Sequence, residues 1–151
     1  MIIYRHTQIG KAMIIIFIIA IFFVWGMGQV SPSETSNIIW LLILFGFILS
    51  SFGTLQITVN SEYLKLKFGW GIFQKKFIQK DIISTAKVRN KWYYGLGIKF
   101  LLLPKKTILF AVSGLDAVEI QMKNGKIYRL GTDQPLKLLR ALQINTKVEL
   151  N

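Results

Sequence analysis

Cysteine is absent from this chain of 151 residues, which excludes disulfide bonds and thiolate metal sites. Histidine is almost as scarce, because His6 stands alone with no second metal-ligating residue near it in the sequence. Acidic residues number seven against nineteen Lys and Arg, which gives a formal net charge of +12. The sequence therefore predicts no metal and no cofactor, and it describes a strongly basic chain.

Motifs for catalysis are lacking as well. No P-loop, HExxH or dinucleotide-binding fingerprint occurs. The glycine pair Gly95 and Gly97 alone is too short to indicate a dinucleotide-binding motif. A serine nucleophile would need His6 as its base, and His6 lies at the extreme N-terminus. Most acidic residues sit where a turn, a strand start or a helix cap explains them. We therefore predict that the protein is not an enzyme.

Two long apolar runs without a charged residue, at 12–30 and 38–55, dominate the first third of the chain. As helices, both are long enough to cross the roughly 30 Å hydrocarbon core of a bilayer. This predicts a cytoplasmic tail at 1–11, a transmembrane hairpin over 12–55 with an outer turn at 31–37, and one domain over 56–151. Because 17 of the 19 Lys and Arg follow Leu55, the charge distribution predicts a multi-pass plasma-membrane protein with its N-terminus and its domain in the cytoplasm.

Features inside the apolar runs refine this prediction. Trp25 and Trp40 flank the polar segment, where indole rings anchor a helix at the membrane interface. Gly46, Ser50 and Gly53 share one face of the second helix and predict close helix packing, within the hairpin rather than between two copies. A cleavable signal peptide over 1–28 is the alternative, and the second run would then act as a stop-transfer segment.

After Leu55 the apolar residues alternate, which is the pattern of β-strands. The Asn124-Gly125 pair predicts a tight hairpin between two of them. Pro135 opens a helical pattern that Thr132 or Asp133 can cap. The predicted strands are 57–59, 64–68, 72–78, 81–89, 98–102, 107–112, 117–122 and 126–130, followed by one helix. This order of elements predicts a mainly-β domain, an antiparallel sheet curled on itself and covered by the helix.

The segments ITVNSEYLKLKFGWG, QKKFIQKDI, WYYGLGIKF, FAVSG and VEIQMKNGKIYRLGTDQPLKLLRAL together resemble a class of small bacterial membrane proteins. In that class a transmembrane hairpin precedes a pleckstrin-homology-like (PH-like) domain. The resemblance implies a partly open antiparallel barrel of about seven strands, capped by a C-terminal helix. The first strand turn, Asn60-Ser61-Glu62, lacks the basic residues of phosphoinositide-binding members, so the resemblance implies no ligand site.

Basic and aromatic residues of the domain supply the candidate contact surface. Lysines near an anionic leaflet are attracted to it by about 1 kcal/mol each, and an aromatic loop can insert at headgroup depth. We predict a non-catalytic, membrane-anchored module for protein association or anionic-lipid contact, or alternatively an accessory subunit of a larger membrane complex. A protein partner is expected and nucleic acid is not. The candidate contact residues are Lys65, Lys67, Lys75, Lys76, Lys91, Trp92, Tyr93, Lys105 and Lys106.

Overall fold

The computed structural model describes residues 2–28, 32–94, 97–102 and 106–148, with side chains at all of these except 27–28, 32–36 and 144–148. Three α-helices lie in this part of the chain: α1 (Lys11–Gly28), α2 (Pro32–Phe52) and α3 (Pro135–Val148). The strands are β1 (Ile2–Ile9), β2 (Thr54–Asn60), β3 (Tyr63–Phe68), β4 (Phe73–Ile78), β5 (Ile82–Arg89), β6 (Gly97–Leu101), β7 (Thr107–Ala111), β8 (Asp116–Met122) and β9 (Ile127–Gly131).

Strands β1 to β4 form an antiparallel sheet in sequential order, which we call sheet A. Its apolar residues alternate with polar ones, so one face is buried and the other faces solvent. On β2 the buried residues are Leu55, Ile57 and Val59. Strand β1 precedes the helical hairpin, yet it pairs with β2, which follows the hairpin. The sequence did not predict this strand.

Strands β5 to β9 form a second sheet, sheet B, in the order β5-β8-β9-β7-β6. Strands β8 and β9 form the hairpin predicted at Asn124-Gly125, where Gly125 takes a positive φ of 77°. Strand β7 pairs with β9 in parallel, because the connection from β7 to β8 crosses the position of β9, which then returns between them. A purely antiparallel arrangement was therefore a wrong prediction.

The core lies between the two sheets. Phe68 of sheet A contacts Phe110 of sheet B with ring centroids 6.2 Å apart, and Phe77 contacts Tyr128 at 4.7 Å. Helix α3 packs on sheet B and adds the buried residues Leu138, Ala141 and Leu142. The individual strands were largely predicted, but the predicted PH-like barrel is wrong, because the strands divide into two open sheets that bury their apolar faces against each other.

Helices α1 and α2 form a hairpin that leaves sheet A between β1 and β2. Over the described residues, no helix has both the length and the apolar character needed to cross a bilayer. Helix α1 has 18 residues and is about 27 Å long, and α2 opens with the polar segment PSETSN. This finding overturns the predicted two-span membrane hairpin and the multi-pass plasma-membrane location derived from it. The predicted outer turn at 31–37 is helical from Pro32, and residue 31 lies outside the described residues.

Candidate functional site

The helical hairpin is attached to sheet A at a tight junction. The Gly10 amide donates a hydrogen bond to the Gly53 carbonyl at 2.7 Å, so the two ends of the hairpin meet. Further along, Gly46 lies against the Phe17 ring: a Cβ at Gly46 would stand 2.8 Å from Phe17 Cζ. A cavity of about 260 Å³ opens at this base, lined mostly by apolar residues of both helices, with Ser50 of α2, Ile9 of β1 and Thr54 of β2 beside them. The glycines thus let the helices approach closely beside their junction with the sheet.

Most of the hairpin's large apolar side chains are exposed. Trp25 and Trp40 are 68% and 69% exposed, and Val24 is the one buried apolar residue of the hairpin among those described. Along α2 a hollow of about 400 Å³ is lined only by apolar residues: Ile38, Leu41, Leu42, Leu44, Phe45 and Ile48. Apolar surface of this extent, joined to a well-packed body, is typical of an interaction site.

The outer face of sheet A is basic. Its four strands contain five Lys and Arg residues and no acidic residue. The strand register places Arg5 opposite Thr58, Thr58 opposite Lys65, and Lys65 opposite Lys76, so three of the cations lie in one row across the sheet. Lys67 follows on the same face, two residues from Lys65. We call Arg5, Lys65, Lys67 and Lys76 the basic row.

Side chains of the basic row have polar and aromatic neighbours but no carboxylate at ion-pair distance in the described part of the chain. Arg5 Nη2 donates to Gln56 Oε1 at 3.5 Å, and Lys76 Nζ lies 4.1 Å from the centroid of the Tyr63 ring. Lys75 is exposed on the opposite side of β4, opposite Leu66. The positive charge of this face is therefore not neutralised within the described structure.

The other candidate contact residues are on sheet B. Trp92 and Tyr93 form a 3-10 turn after β5, with ring centroids 5.9 Å apart, and they are 81% and 58% exposed. Lys91 lies 5.5 Å from the centroid of the Tyr93 ring, and its hydrogen bond with Tyr93 raises the pKa of Lys91. Lys106 is exposed, and Lys105 lies outside the described residues. The predicted surface is thus divided between two sheets rather than gathered on one.

A polar seam, in which Gln8 is buried and Tyr4 and His6 are half-buried, lies on the inner face of β1. It was not predicted from the sequence. Tyr4, His6 and Gln8 pair with the core residues of β2, so they face inward. His6 Nε2 lies 2.6 Å from Asp133 Oδ1. Because an ionised carboxylate can only accept a hydrogen bond, Nε2 of His6 is the donor. Asp133 therefore contacts His6, while Thr132 Oγ1 accepts from the Gln134 amide before α3. The segment IIYRHTQI carries polar residues on both faces of the strand, so it lacks the alternation that would have indicated β1.

Gln8 anchors the seam at its other end. Its Nε2 donates to the carbonyl and to the hydroxyl of Ser113, both at 2.9 Å, in the segment after β7. The Tyr4 hydroxyl and Gln8 Oε1 are buried with no partner among the described residues. Burial raises the pKa of Tyr4; the neighbouring Thr132 side chain partly offsets this rise, and the charge of Asp133 adds a smaller one. These contacts tie β1 to sheet B, and over the described residues no group of three potential ligands could hold a metal.

Comparisons of the chain with protein-family models, with curated proteins and with solved structures found no match. The resemblance to bacterial PH-like membrane proteins is overturned, because the strands that carry it form two open sheets and no described helix is able to span a membrane.

Proposed function

We propose that the protein is a non-catalytic association module whose helical hairpin docks on an apolar surface of a partner protein. One observation carries this proposal: the hairpin leaves large apolar side chains of both helices exposed. Ile19 on α1 and Leu41 on α2 are 62% and 64% exposed, whereas the large apolar residues of the sheets are mostly buried. In a folded chain such a surface needs a partner, because its hydration costs roughly 25 cal/mol per Å² of apolar area.

The shape of the hairpin fits helix-on-helix docking. The hollow along α2 can accept apolar side chains of a partner helix, in the manner of ridges entering grooves. The junction at Gly10 and Gly53 fixes the base of the hairpin to the sheet. The two-sheet body would thus hold the apolar hairpin in a fixed orientation, which favours specific over non-specific association.

Site-specific photo-crosslinking in cells tests this proposal. A crosslinking residue is placed at Ile19 or Leu41 of the full chain, and at Lys126 as the control, since Lys126 lies in the exposed β8–β9 turn. We expect both hairpin positions to give the same discrete protein adduct and the control to give none. Phe22→Glu, a change at a residue 68% exposed, should abolish the adduct without unfolding the body.

Two results would overturn the proposal. One is crosslinking to lipid alone, together with flotation of the chain on vesicles. The other is the absence of any adduct at either hairpin position while the control chain is folded and abundant. An adduct between two copies of the chain would support association and identify a second copy as the partner.

An accessory subunit of a larger protein complex is the second candidate. It is favoured by the presence of two surfaces of opposite character, the apolar hairpin and the basic row, on separate parts of the fold. A subunit that bridges two components needs two such surfaces. Co-migration of the chain with at least two further proteins in native gels, lost stepwise when each surface is altered, is the expected result. Migration with one protein only would contradict it.

A further inference from the structure

We propose that the β4 edge of sheet A, together with the basic row, binds an acidic polypeptide segment in an extended conformation. Strand β4 is the last strand of sheet A, and within the described ranges it pairs only with β3. A terminal strand presents backbone donors and acceptors that an added strand can satisfy. This proposal rests on charge and topology of sheet A, and it is independent of the function proposed for the hairpin.

Charge complementarity identifies the occupant. A strand added to β4 would alternate its side chains between the two faces of sheet A. On the outer face they would lie near Lys76 and Lys65, and on the other face near Lys75. Because no strand of sheet A carries an acidic residue, the outer face of this edge favours Asp or Glu on that side of the segment. The inner face, where Phe73 and Phe77 flank Lys75, favours apolar side chains on the other side.

The spacing of the cations fits an extended peptide. Lys65 and Lys67 lie two residues apart on one face, a separation of about 6.6 Å, which equals the spacing of alternate side chains along a strand. Lys65 and Lys76 lie directly opposite each other, and such a like-charged pair destabilises a sheet. An acidic side chain placed beside the two lysines would relieve that repulsion.

Two other occupants fit the face less well. Single-stranded nucleic acid is usually held by exposed aromatic rings on which bases stack, and the aromatic ring on the outer face of β3, Tyr63, is covered by Lys76. A second copy of the chain would bring its own β4 lysines against these, so self-pairing at this edge is opposed by like charges.

Binding of a fluorescent peptide of alternating glutamate and valine to the full chain, measured by anisotropy at several salt concentrations, tests the proposal. We expect binding that weakens as the salt concentration rises. Lys76→Glu should weaken it by about tenfold, because the substitution reverses one charge and the new carboxylate pairs with Lys65. Lys126→Glu alters the net charge equally at an exposed turn and should change affinity by less than about twofold. An acidic peptide of equal charge interrupted by proline should bind more weakly, since proline cannot donate to the ladder.

Several outcomes would overturn the proposal. Equal weakening by Lys76→Glu and Lys126→Glu would mean that net charge alone attracts the peptide. Equal binding of the proline-containing peptide would exclude strand addition. Tighter binding of an oligonucleotide or of anionic vesicles, lost in Lys76→Glu, would mean that the face binds phosphates. The proposal would also fail if the original chain does not bind the peptide while Lys76→Glu self-associates. In that case the lysines serve only to prevent β4 from pairing with another copy of the chain.

Lys76→Glu is suited to this test because its folding can be checked separately. The variant should be about as stable as the original chain, since the opposite-charge pair with Lys65 offsets the lost contact with the Tyr63 ring. Lys76→Gln, which only removes the charge, should give an intermediate affinity. Photo-crosslinking through the hairpin should be unaffected by either change, so failure of this proposal and failure of the proposed function are distinguishable.

Discussion

The hairpin and the two-sheet body use the same apolar residue types in opposite ways. In the body, Phe68 is fully buried among the rings of Phe52, Phe73 and Phe110. On the hairpin, Phe22 is 68% exposed. The difference shows that apolar composition alone does not define a core: the body closes on itself because two sheets and α3 supply facing layers, whereas the hairpin has only its own two helices.

Truncating one phenylalanine in each region should give the largest contrast. Phe68→Ala removes a ring that both sheets and α2 contact, so we expect a loss of about 3–5 kcal/mol in the free energy of unfolding. Phe22→Ala should change it by less than about 0.5 kcal/mol, because little buried area is lost. Denaturant unfolding followed by circular dichroism measures both. Equal losses would contradict the division into a packed body and an exposed hairpin.

Glycine substitutions sharpen the comparison at the place where the two regions meet. Gly69 has φ of 47°, and a Cβ there would stand 2.2 Å from the Ser51 carbonyl oxygen at the end of α2. Gly125 has φ of 77° with nothing within 4 Å. Gly125→Ala should cost about 1 kcal/mol, from backbone strain alone. Gly69→Ala should cost about 2–4 kcal/mol, because the hairpin must also shift.

Thermal unfolding of Gly69→Ala and Gly125→Ala measures the loss of stability in each variant. If Gly69→Ala costs no more than Gly125→Ala, then the end of α2 is not held against the β3–β4 turn, and the hairpin would be less firmly joined to sheet A than its contacts indicate.

Charge pairs distinguish the two sheets within the body. On sheet B, Arg129 Nε donates to Glu119 Oε2 at 2.8 Å across β8 and β9. Glu119→Gln should therefore destabilise the chain by about 1 kcal/mol. On sheet A, Lys65→Gln should stabilise it by a few tenths of a kcal/mol, because it relieves the repulsion from Lys76 and leaves Lys76 over the Tyr63 ring. Unfolding at low and high salt checks both signs, and high salt should shrink both effects.

The smallest expected effect concerns alkaline stability. Burial, with the charge of Asp133, raises the pKa of Tyr4 above its ordinary value of 10.0, so the folded state holds this proton more tightly than the unfolded state. The resulting stability is fully present below pH 10 and is lost as pH rises through the folded pKa. Tyr4→Phe should flatten the decline in the free energy of unfolding above pH 10, which denaturant unfolding at a series of pH values measures. An unchanged decline in Tyr4→Phe would contradict the buried position of the Tyr4 hydroxyl.

Local elements could be predicted from sequence, and their assembly could not. Alternation located β2 and β3, Asn124-Gly125 located the β8–β9 turn, and Pro135 located the start of α3. These signals act within a few residues. The pairing of β1 with β2, the parallel pairing of β7 with β9 and the division into two sheets depend on residues far apart in the chain, and local alternation does not encode them.

The sequence shows only part of what makes up the candidate surfaces. Lysine positions are visible in the sequence, but the register that aligns Arg5, Lys65 and Lys76 is a tertiary property. The seam between His6 and Asp133 joins the first strand to the residues before the last helix, and the sequence offered no sign of it. The long apolar runs predicted a membrane hairpin because hydropathy measures how apolar a helix is. It does not show what surrounds that helix in the structure.

The hydrogen bond from Gly10 to Gly53 also bears on how the chain folds. Strands β1 and β2 are adjacent and antiparallel, so α1 and α2 occupy the place of an ordinary β-turn. Pairing of these strands must close a loop that contains both helices, which costs more entropy than a two-residue turn and favours late docking of β1. The same geometry makes residues 11 to 52 a natural insertion point: a short turn could replace them, or another pair of helices could be grafted there, without changing the register of sheet A.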